Sequence, residues 1–183
     1  SKEMLFTTDK LNDKNEEELF FVNIVNREIG LMVRKDNPKT IAALIDISRK
    51  DLTFVNLVAG CSPRTRLDKL LKELAIDERN IKGYETELNN IATIAVQVEQ
   101  GIADVGLGTY PVAKRFGLGF IPIAEENFGF AVKGDFIFSQ AFSAISDVLC
   151  SSKFKKKARD LGYSTTESGQ VTKLGAYEVF ECC

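Results

Sequence analysis

The feature that most constrains the fold is an alternation of short β-like runs with amphipathic helical patterns. An apolar run at residues 52–58 predicts a buried strand, and leucines at 67, 70, 71 and 74 then repeat at helical spacing, predicting a helix over residues 63–74. A second helical repeat follows at Ile91, Ile94, Ala95 and Val98, and then a strand over 103–108 and a short helix over 110–116. Strands alternating with helices predict an α/β fold with a mainly parallel sheet.

Further elements flank this region. Short β-like runs lie at residues 20–25 and 30–34 before it, and at 120–123 and 128–132 after it. The helical spacing of Ile41, Leu44 and Ile45 predicts another helix, over residues 39–48. Two amphipathic helices, over residues 138–149 and 154–161, follow the last predicted strand.

Composition excludes several classes of function. The 183 residues include no histidine, which rules out histidine-based triads and histidine-ligated zinc within this chain. The formal net charge of −2 argues against a dedicated nucleic-acid-binding protein. Cys61, Cys150, Cys182 and Cys183 match no zinc spacing and are expected to be reduced thiols. We expect no cofactor, no membrane span and a cytoplasmic location, with a removed signal peptide as the alternative.

Three predicted junctions between a strand and a helix carry small, hydroxyl or amide residues. They are the segments 60–64 (Gly-Cys-Ser-Pro-Arg), 87–90 (Glu-Leu-Asn-Asn) and 106–111 (Gly-Leu-Gly-Thr-Tyr-Pro). The first amides of a helix have no partner within the helix, so such a junction can hold an anion on backbone N–H groups. In α/β sheets, ligands bind beyond the carboxyl ends of the strands, where these junctions lie.

An ordered set of motifs over residues 20–132 resembles the type 2 periplasmic-binding-protein-like domain that accompanies molybdate-responsive regulators and molybdopterin-biosynthesis proteins. The motifs are Asn26-Arg27-Glu28-Ile29-Gly30, Phe54-Val55-Asn56, Gly101-Ile102-Ala103-Asp104-Val105-Gly106 and Pro122-Ile123-Ala124-Glu125-Glu126. Two departures stand out: the loop before the first ligand helix has Cys61 and Pro63 where the family has serine and threonine, and a histidine near the start of the 91–100 helix is missing.

The resemblance implies two α/β lobes, joined by hinge strands, that close on a small ligand. It assigns residues 1–35 to the entry and first hinge strand of lobe 1, residues 36–121 to lobe 2, and residues 122–183 to the return hinge and C-terminal helices of lobe 1. Segments 26–30 and 122–126 become the hinge crossings. Lobe 1 is expected to be incomplete on its N-terminal side and to expose an apolar surface there.

The same resemblance implies a binding domain, not an enzyme, for a small anion such as a molybdate- or tungstate-like oxyanion. Arg64, at the cleft rim, is expected to supply countercharge, and its removal is expected to weaken binding with little effect on stability. The expected ligand-binding residues are Arg27, Cys61, Ser62, Arg64, Asn89, Asn90, Thr109 and Tyr110.

Alternative interpretations remain for these residues. The asparagines are also typical helix caps, and Arg27 also fits a hinge ion pair with Glu28 or Glu125. One rival function is an enzyme that uses Cys61 with such acids, although no histidine base exists. The other is a degenerate lobe that mediates protein interaction or homo-oligomerisation, or serves an attached regulatory or enzyme domain. The basic cluster at residues 153–159 fits a solvated helix face better than a nucleic-acid or membrane patch.

Overall fold

The computed structural model describes residues 18–174 and 179–180 of the chain. Strands and helices alternate through its middle, which confirms the α/β class. The strands are β1 (Leu19–Val33), β2 (Phe54–Leu57), β3 (Glu87–Leu88), β4 (Val105–Thr109), β5 (Gly119–Lys133), β6 (Val171–Lys173) and β7 (Val179–Phe180). The helices are α1 (Ser62–Glu73), α2 (Ile91–Glu99), α3 (Tyr110–Phe116), α4 (Gln140–Cys150) and α5 (Ser152–Leu161).

The chain divides into two compact units. The central unit is Glu28–Glu125, and the flanking unit contains the described residues before and after it. Strands β1 and β5 each run from one unit into the other. The two divisions, after Arg27 and after Glu125, fall within the segments expected to be hinge crossings. The assignment of the units as lobes that close on a ligand stays a prediction.

The central unit is built on the strand order β3-β2-β4-β1. Strand β2 is parallel to both β3 and β4, whereas β1 runs antiparallel to β4 with Gly30 opposite Gly108. Buried apolar side chains such as Leu67 on α1 and Ile94 on α2 fill the core. Because β1, β6 and β7 pair antiparallel, the sheet is mixed, and the expectation of a mainly parallel sheet is wrong.

The flanking unit has a smaller core of its own. The first residues of β1 pair antiparallel with β6, and Phe20 and Val22 pack with Phe142 and Leu149 of α4 and with Val171. Several large apolar side chains of this unit stay exposed: Phe128, Phe138, Val148 and Leu161. Phe138 is 87% exposed.

Several predicted elements need correction. The helix expected over residues 39–48 is only a 3-10 helix, Leu44–Ser48, because Asn37 and Thr40 adopt positive φ angles of 43° and 52° and form a turn instead. The two β-like runs on each side of the central region are continuous 15-residue strands.

The cysteines also differ from the expectation of reduced thiols. Cys61 is a free thiol, but Cys150 is disulfide-bonded, and Cys182 and Cys183 lie outside the described residues. The expectation of a reduced thiol is therefore wrong for Cys150. The sequence did not indicate this bond, because the spacing of cysteines does not reveal which of them folding brings together.

The 3-10 helix yields a pH prediction. The Asp46 carboxylate accepts N–H bonds from Ala42 and Ala43, at 2.7 and 3.0 Å, and these bonds lower the pKa of Asp46. A lowered pKa in the folded state stabilises the protein above the ordinary carboxyl pKa, and this stabilisation is lost as the pH falls through the folded-state pKa. Asp46→Ala should therefore be less stable than wild type at pH 7, and the difference should shrink below about pH 4. Urea denaturation across that range measures it, and a constant difference would contradict it.

Candidate functional site

The carboxyl ends of β2, β3 and β4 lie at one edge of the central sheet, because the three strands are parallel. A loop and then a helix follow β2 and β3, whereas α3 follows β4 directly. We call residues 58–62, 89–90 and 109–110 the site edge. It contains six of the eight predicted ligand-binding residues: Cys61, Ser62, Asn89, Asn90, Thr109 and Tyr110.

The N-terminus of α1 has no side-chain cap. Cys61 occupies the cap position with extended backbone, φ −76° and ψ 140°, and makes no side-chain capping bond. Its carbonyl accepts from the Thr65 amide at 3.0 Å. Because Pro63 has no N–H, the backbone donors in the first turn of α1 are the N–H groups of Ser62 and Arg64. A Cβ added to Gly60 would meet nothing within 4 Å, so the turn before the helix faces open space.

The other two helix starts differ from α1. On α2, Asn90 acts as the cap, since its side-chain oxygen accepts from the Ala92 amide at 2.8 Å. Thr109 precedes α3, is buried and makes no capping bond. Tyr110 is partly exposed, and its ring centroid lies 5.6 Å from that of Phe120. The site edge thus offers amide groups, backbone N–H donors and one aromatic ring.

Arg64 is not at an exposed rim. Its side chain is only 7% exposed and contacts two carboxylates: Nε lies 2.7 Å from Asp68, and Nη1 lies 2.7 Å from Glu87. Nη1 also donates to the Leu57 carbonyl at 3.0 Å. The guanidinium carbon lies 4.3 Å from the centre of the Tyr84 ring. The expectation of an exposed arginine at the cleft rim is therefore wrong, because the side chain is buried and joins α1 to the ends of β2 and β3.

The ionisation of this cluster follows from the same contacts. Burial alone lowers the pKa of Arg64, but hydrogen bonds with Asp68, Tyr84 and Glu87 outweigh it and raise the pKa above its ordinary value. Burial, together with the hydrogen bond to Asp68 at 2.6 Å, raises the pKa of the Tyr84 phenol. Arg64 therefore stays cationic with two carboxylates against it, and its charge is already compensated within the protein.

Arg27 belongs to the flanking unit and not to the site edge. Its Nε forms an ion pair with Glu126, and its guanidinium carbon lies 4.8 Å from the centre of the Phe128 ring. The sequence analysis expected an ion pair of Arg27 with Glu28 or Glu125, and Arg27 pairs with Glu126 instead. Glu28 follows Arg27 directly in β1, and successive side chains of a strand point to opposite faces.

The sequence analysis did not identify two groups of interacting residues. Asp68 lies four residues after Arg64, a spacing that indicates a helical ion pair, but Tyr84 and Glu87 become neighbours of Arg64 only through folding. The second group is a hydrogen-bonded cluster of buried and half-buried residues in the flanking unit: Asn23, Asn26, Asn127 and Glu167. No sequence pattern joins these four positions.

The described residues contain no group of three or more Cys, Asp or Glu side chains placed to hold a metal ion. Among the helices of residues 18–174, none is long and apolar enough to cross a membrane.

Several solved proteins share this fold. The substrate-binding domain of a putative molybdenum ABC transporter from Clostridium difficile superposes with a TM-score of 0.61 at 14% identity, over 79% of this chain and 66% of that one. PEB3 with L-phospholactate bound gives a TM-score of 0.56 at 18% identity, over 79% and 68% of the two chains. An ancestral arginine-binding protein bound to arginine gives 0.57 at 16% identity, over 87% and 69%.

Sequence comparison identifies the family. The PBP superfamily domain matches residues 7–150, so the chain belongs to that superfamily, and the predicted resemblance is confirmed. YvgK of Bacillus subtilis (strain 168) is 32% identical over 153 residues, which are 82% of this chain and 48% of that protein. A Clostridium pasteurianum protein from the 5′ region of a ferredoxin 2Fe-2S gene is 28% identical over 57% of this chain and 95% of that protein. The chain thus spans about half the length of the Bacillus relative.

Proposed function

We propose that this protein binds a small ligand with an anionic group at the site edge, without catalysing a reaction. The observation that carries the proposal is the uncapped N-terminus of α1, which follows one of three adjacent parallel strands and faces open space at Gly60. The N–H groups of Ser62 and Arg64 are oriented by the helix and favour negative charge. Asn89, Asn90 and Tyr110 supply amide and aromatic contacts around them.

The role of Arg64 in this proposal is indirect. Its side chain is compensated by Asp68 and Glu87, so it positions α1 against the ends of β2 and β3 and offers only its backbone N–H to the ligand. The anion is therefore held chiefly by backbone donors. Cys61 is the residue before the first turn of α1 and has no catalytic role in this proposal. The chain contains no histidine that could act as the base for a cysteine nucleophile.

The ligand class is supported by chemistry shared among proteins with this fold. L-phospholactate and arginine, which are bound in two of them, carry a phosphate or a carboxylate, and a third is the substrate-binding domain of a putative molybdenum transporter. We propose an anionic group of this size as the anchor, with a molybdate- or tungstate-like oxyanion as the first candidate. Closure of the two units about β1 and β5 would remove the ligand from water. The cytoplasmic location stays a prediction.

The proposal is tested by removing one backbone donor. Ser62 is the first residue of α1, a position at which proline is well tolerated in α-helices. Ser62→Pro should weaken binding of the tightest ligand from a panel of molybdate, tungstate, sulfate, phosphate, phospholactate and arginine. A charge-assisted hydrogen bond contributes on the order of 1.5–3 kcal/mol, so we expect a loss of about 10–150-fold by titration calorimetry.

The matched control is Ser62→Ala, which removes the hydroxyl but keeps the N–H. It should retain affinity within about threefold if the backbone donor is what holds the anion. Equal losses in both variants would assign the contact to the hydroxyl. Unchanged affinity in Ser62→Pro would remove the α1 N-terminus from the site.

A protein-interaction module is the second candidate. The exposed apolar side chains of the flanking unit favour it, above all Phe138, together with an Arg64 whose charge is compensated internally. Absence of binding across the ligand panel, combined with self-association by light scattering that Phe138→Ser abolishes, would favour this function over ligand binding.

A further inference from the structure

In the flanking unit, two buried asparagines and one half-buried asparagine form hydrogen bonds around a half-buried glutamate. We call Asn23, Asn26, Asn127 and Glu167 the amide clasp. Asn26 Nδ2 donates to Asn127 Oδ1 at 2.8 Å and to Glu167 Oε2 at 2.9 Å. Asn127 Nδ2 donates to the same carboxylate oxygen at 3.1 Å, and Asn23 Nδ2 donates to Asn26 Oδ1 at 3.0 Å. One carboxylate thus holds side chains from both β1 and β5.

The clasp lies where both strands leave the flanking unit. Asn26 immediately precedes Arg27, the last residue of β1 in this unit, and Asn127 follows Glu126, the first residue of β5 in it. Backbone bonds fix the segment that carries Glu167 to the same strand: Asn26 and Ser164 exchange two N–H bonds of 2.9 Å, and the Gly169 amide donates to Asn23 at 2.9 Å. The carboxylate therefore acts from a segment that is itself bound to β1.

The amide clasp places polar side chains in the interior, where they lower the stability of the folded state unless every polar atom is hydrogen-bonded. Asn23 and Asn26 are 2% and 1% exposed, and Asn23 Oδ1 has no hydrogen-bond partner among the described residues. A buried acceptor without a donor destabilises the folded state, and apolar side chains of similar shape would avoid that cost. Buried polar networks specify one arrangement of the groups they join more strictly than apolar packing does.

Strand β5 pairs with β1 in the sheet, and we infer that the amide clasp strengthens this pairing where the two strands leave the flanking unit, so that motion between the two units bends these strands only beyond the clasp. Bending is then confined to the residues from Glu28 onward in β1 and to those up to Glu125 in β5. The use of this motion in ligand capture rests on the proposed function, whereas the fixation of the strands does not.

The test measures motion between the units without any ligand. Nitroxide labels on non-canonical residues at positions 79 and 156, which are exposed in the central and flanking units, leave the native cysteines untouched. Double electron–electron resonance should show that Glu167→Ala broadens the distance distribution at least about twofold, because local ordering at the strand exits is lost. Glu167→Gln keeps an acceptor oxygen for both amides and should retain the wild-type width.

Asn127→Ala is the second variant, in case Glu167→Ala fails to fold by near-UV circular dichroism. It removes one partner of Asn26 and one donor to Glu167 from a half-buried position, and it should also broaden the distribution. A wild-type width in a folded Glu167→Ala or Asn127→Ala protein would overturn the inference. Since no ligand is present, a failure of the proposed binding function would leave this result unaffected.

Discussion

Gly83→Ala should lower the free energy of unfolding by about 2–4 kcal/mol, the sum of backbone strain and overpacking. Gly83 has a φ of +93°, which side chains with a Cβ rarely adopt. Its added Cβ would lie 2.1 Å from the carbonyl oxygen of Phe54, the first residue of β2. Since this neighbour is backbone in a buried strand, it can move only by displacing the strand itself.

Gly60→Ala separates the two contributions. Gly60 has a nearly equal φ of +88°, but a Cβ there would meet nothing within 4 Å. This variant should cost about 1 kcal/mol from backbone strain alone. Urea denaturation of both variants would measure the difference, and equal midpoints would show that β2 yields to the added methyl group without cost.

Local patterns predicted the helices that pack on the central sheet. The leucines at 67, 70 and 71 and the apolar repeat from Ile91 to Val98 lie on helices α1 and α2 in the structure. Gly101 follows the end of α2 at a positive φ of 71°, as a residue just beyond a helix often does. The positions of these helices and of the end of α2 depend only on residues within one or two helical turns, so local sequence patterns are enough to predict them.

Long-range pairing was not predictable in the same way. The polar run Asn26-Arg27-Glu28 reads as a break between two strands, yet β1 continues through it because Asn26 is buried against partners more than 100 residues away. The position of six predicted site residues at one edge of the sheet was predictable, because the carboxyl ends of neighbouring parallel strands always lie at the same edge. The environment of Arg64 was missed because Tyr84 and Glu87 reach it only through the packing of α1 on the sheet.

Arg64→Ala should lower the free energy of unfolding by on the order of 3 kcal/mol, the lower end of the cost of breaking a buried ion pair. The lower end applies because Asp68 and Glu87 remain 32% and 31% exposed, so water can partly solvate them after the arginine is lost. The variant also loses the bond to the Leu57 carbonyl and the contact with the Tyr84 ring. For a chain of this size, the melting temperature should fall by about 6–12 °C.

Two further arginine variants make this prediction specific. Arg79 forms an exposed ion pair with Asp77, so Arg79→Ala should leave the melting temperature unchanged within error. Arg64→Lys keeps the positive charge but cannot reach Asp68, Glu87 and Leu57 at once, since an ammonium lacks the planar fork of a guanidinium. It should therefore recover only part of the loss. Full stability in Arg64→Ala would return the side chain to the cleft as free countercharge, and the anion would then be held by the guanidinium instead of the backbone of α1.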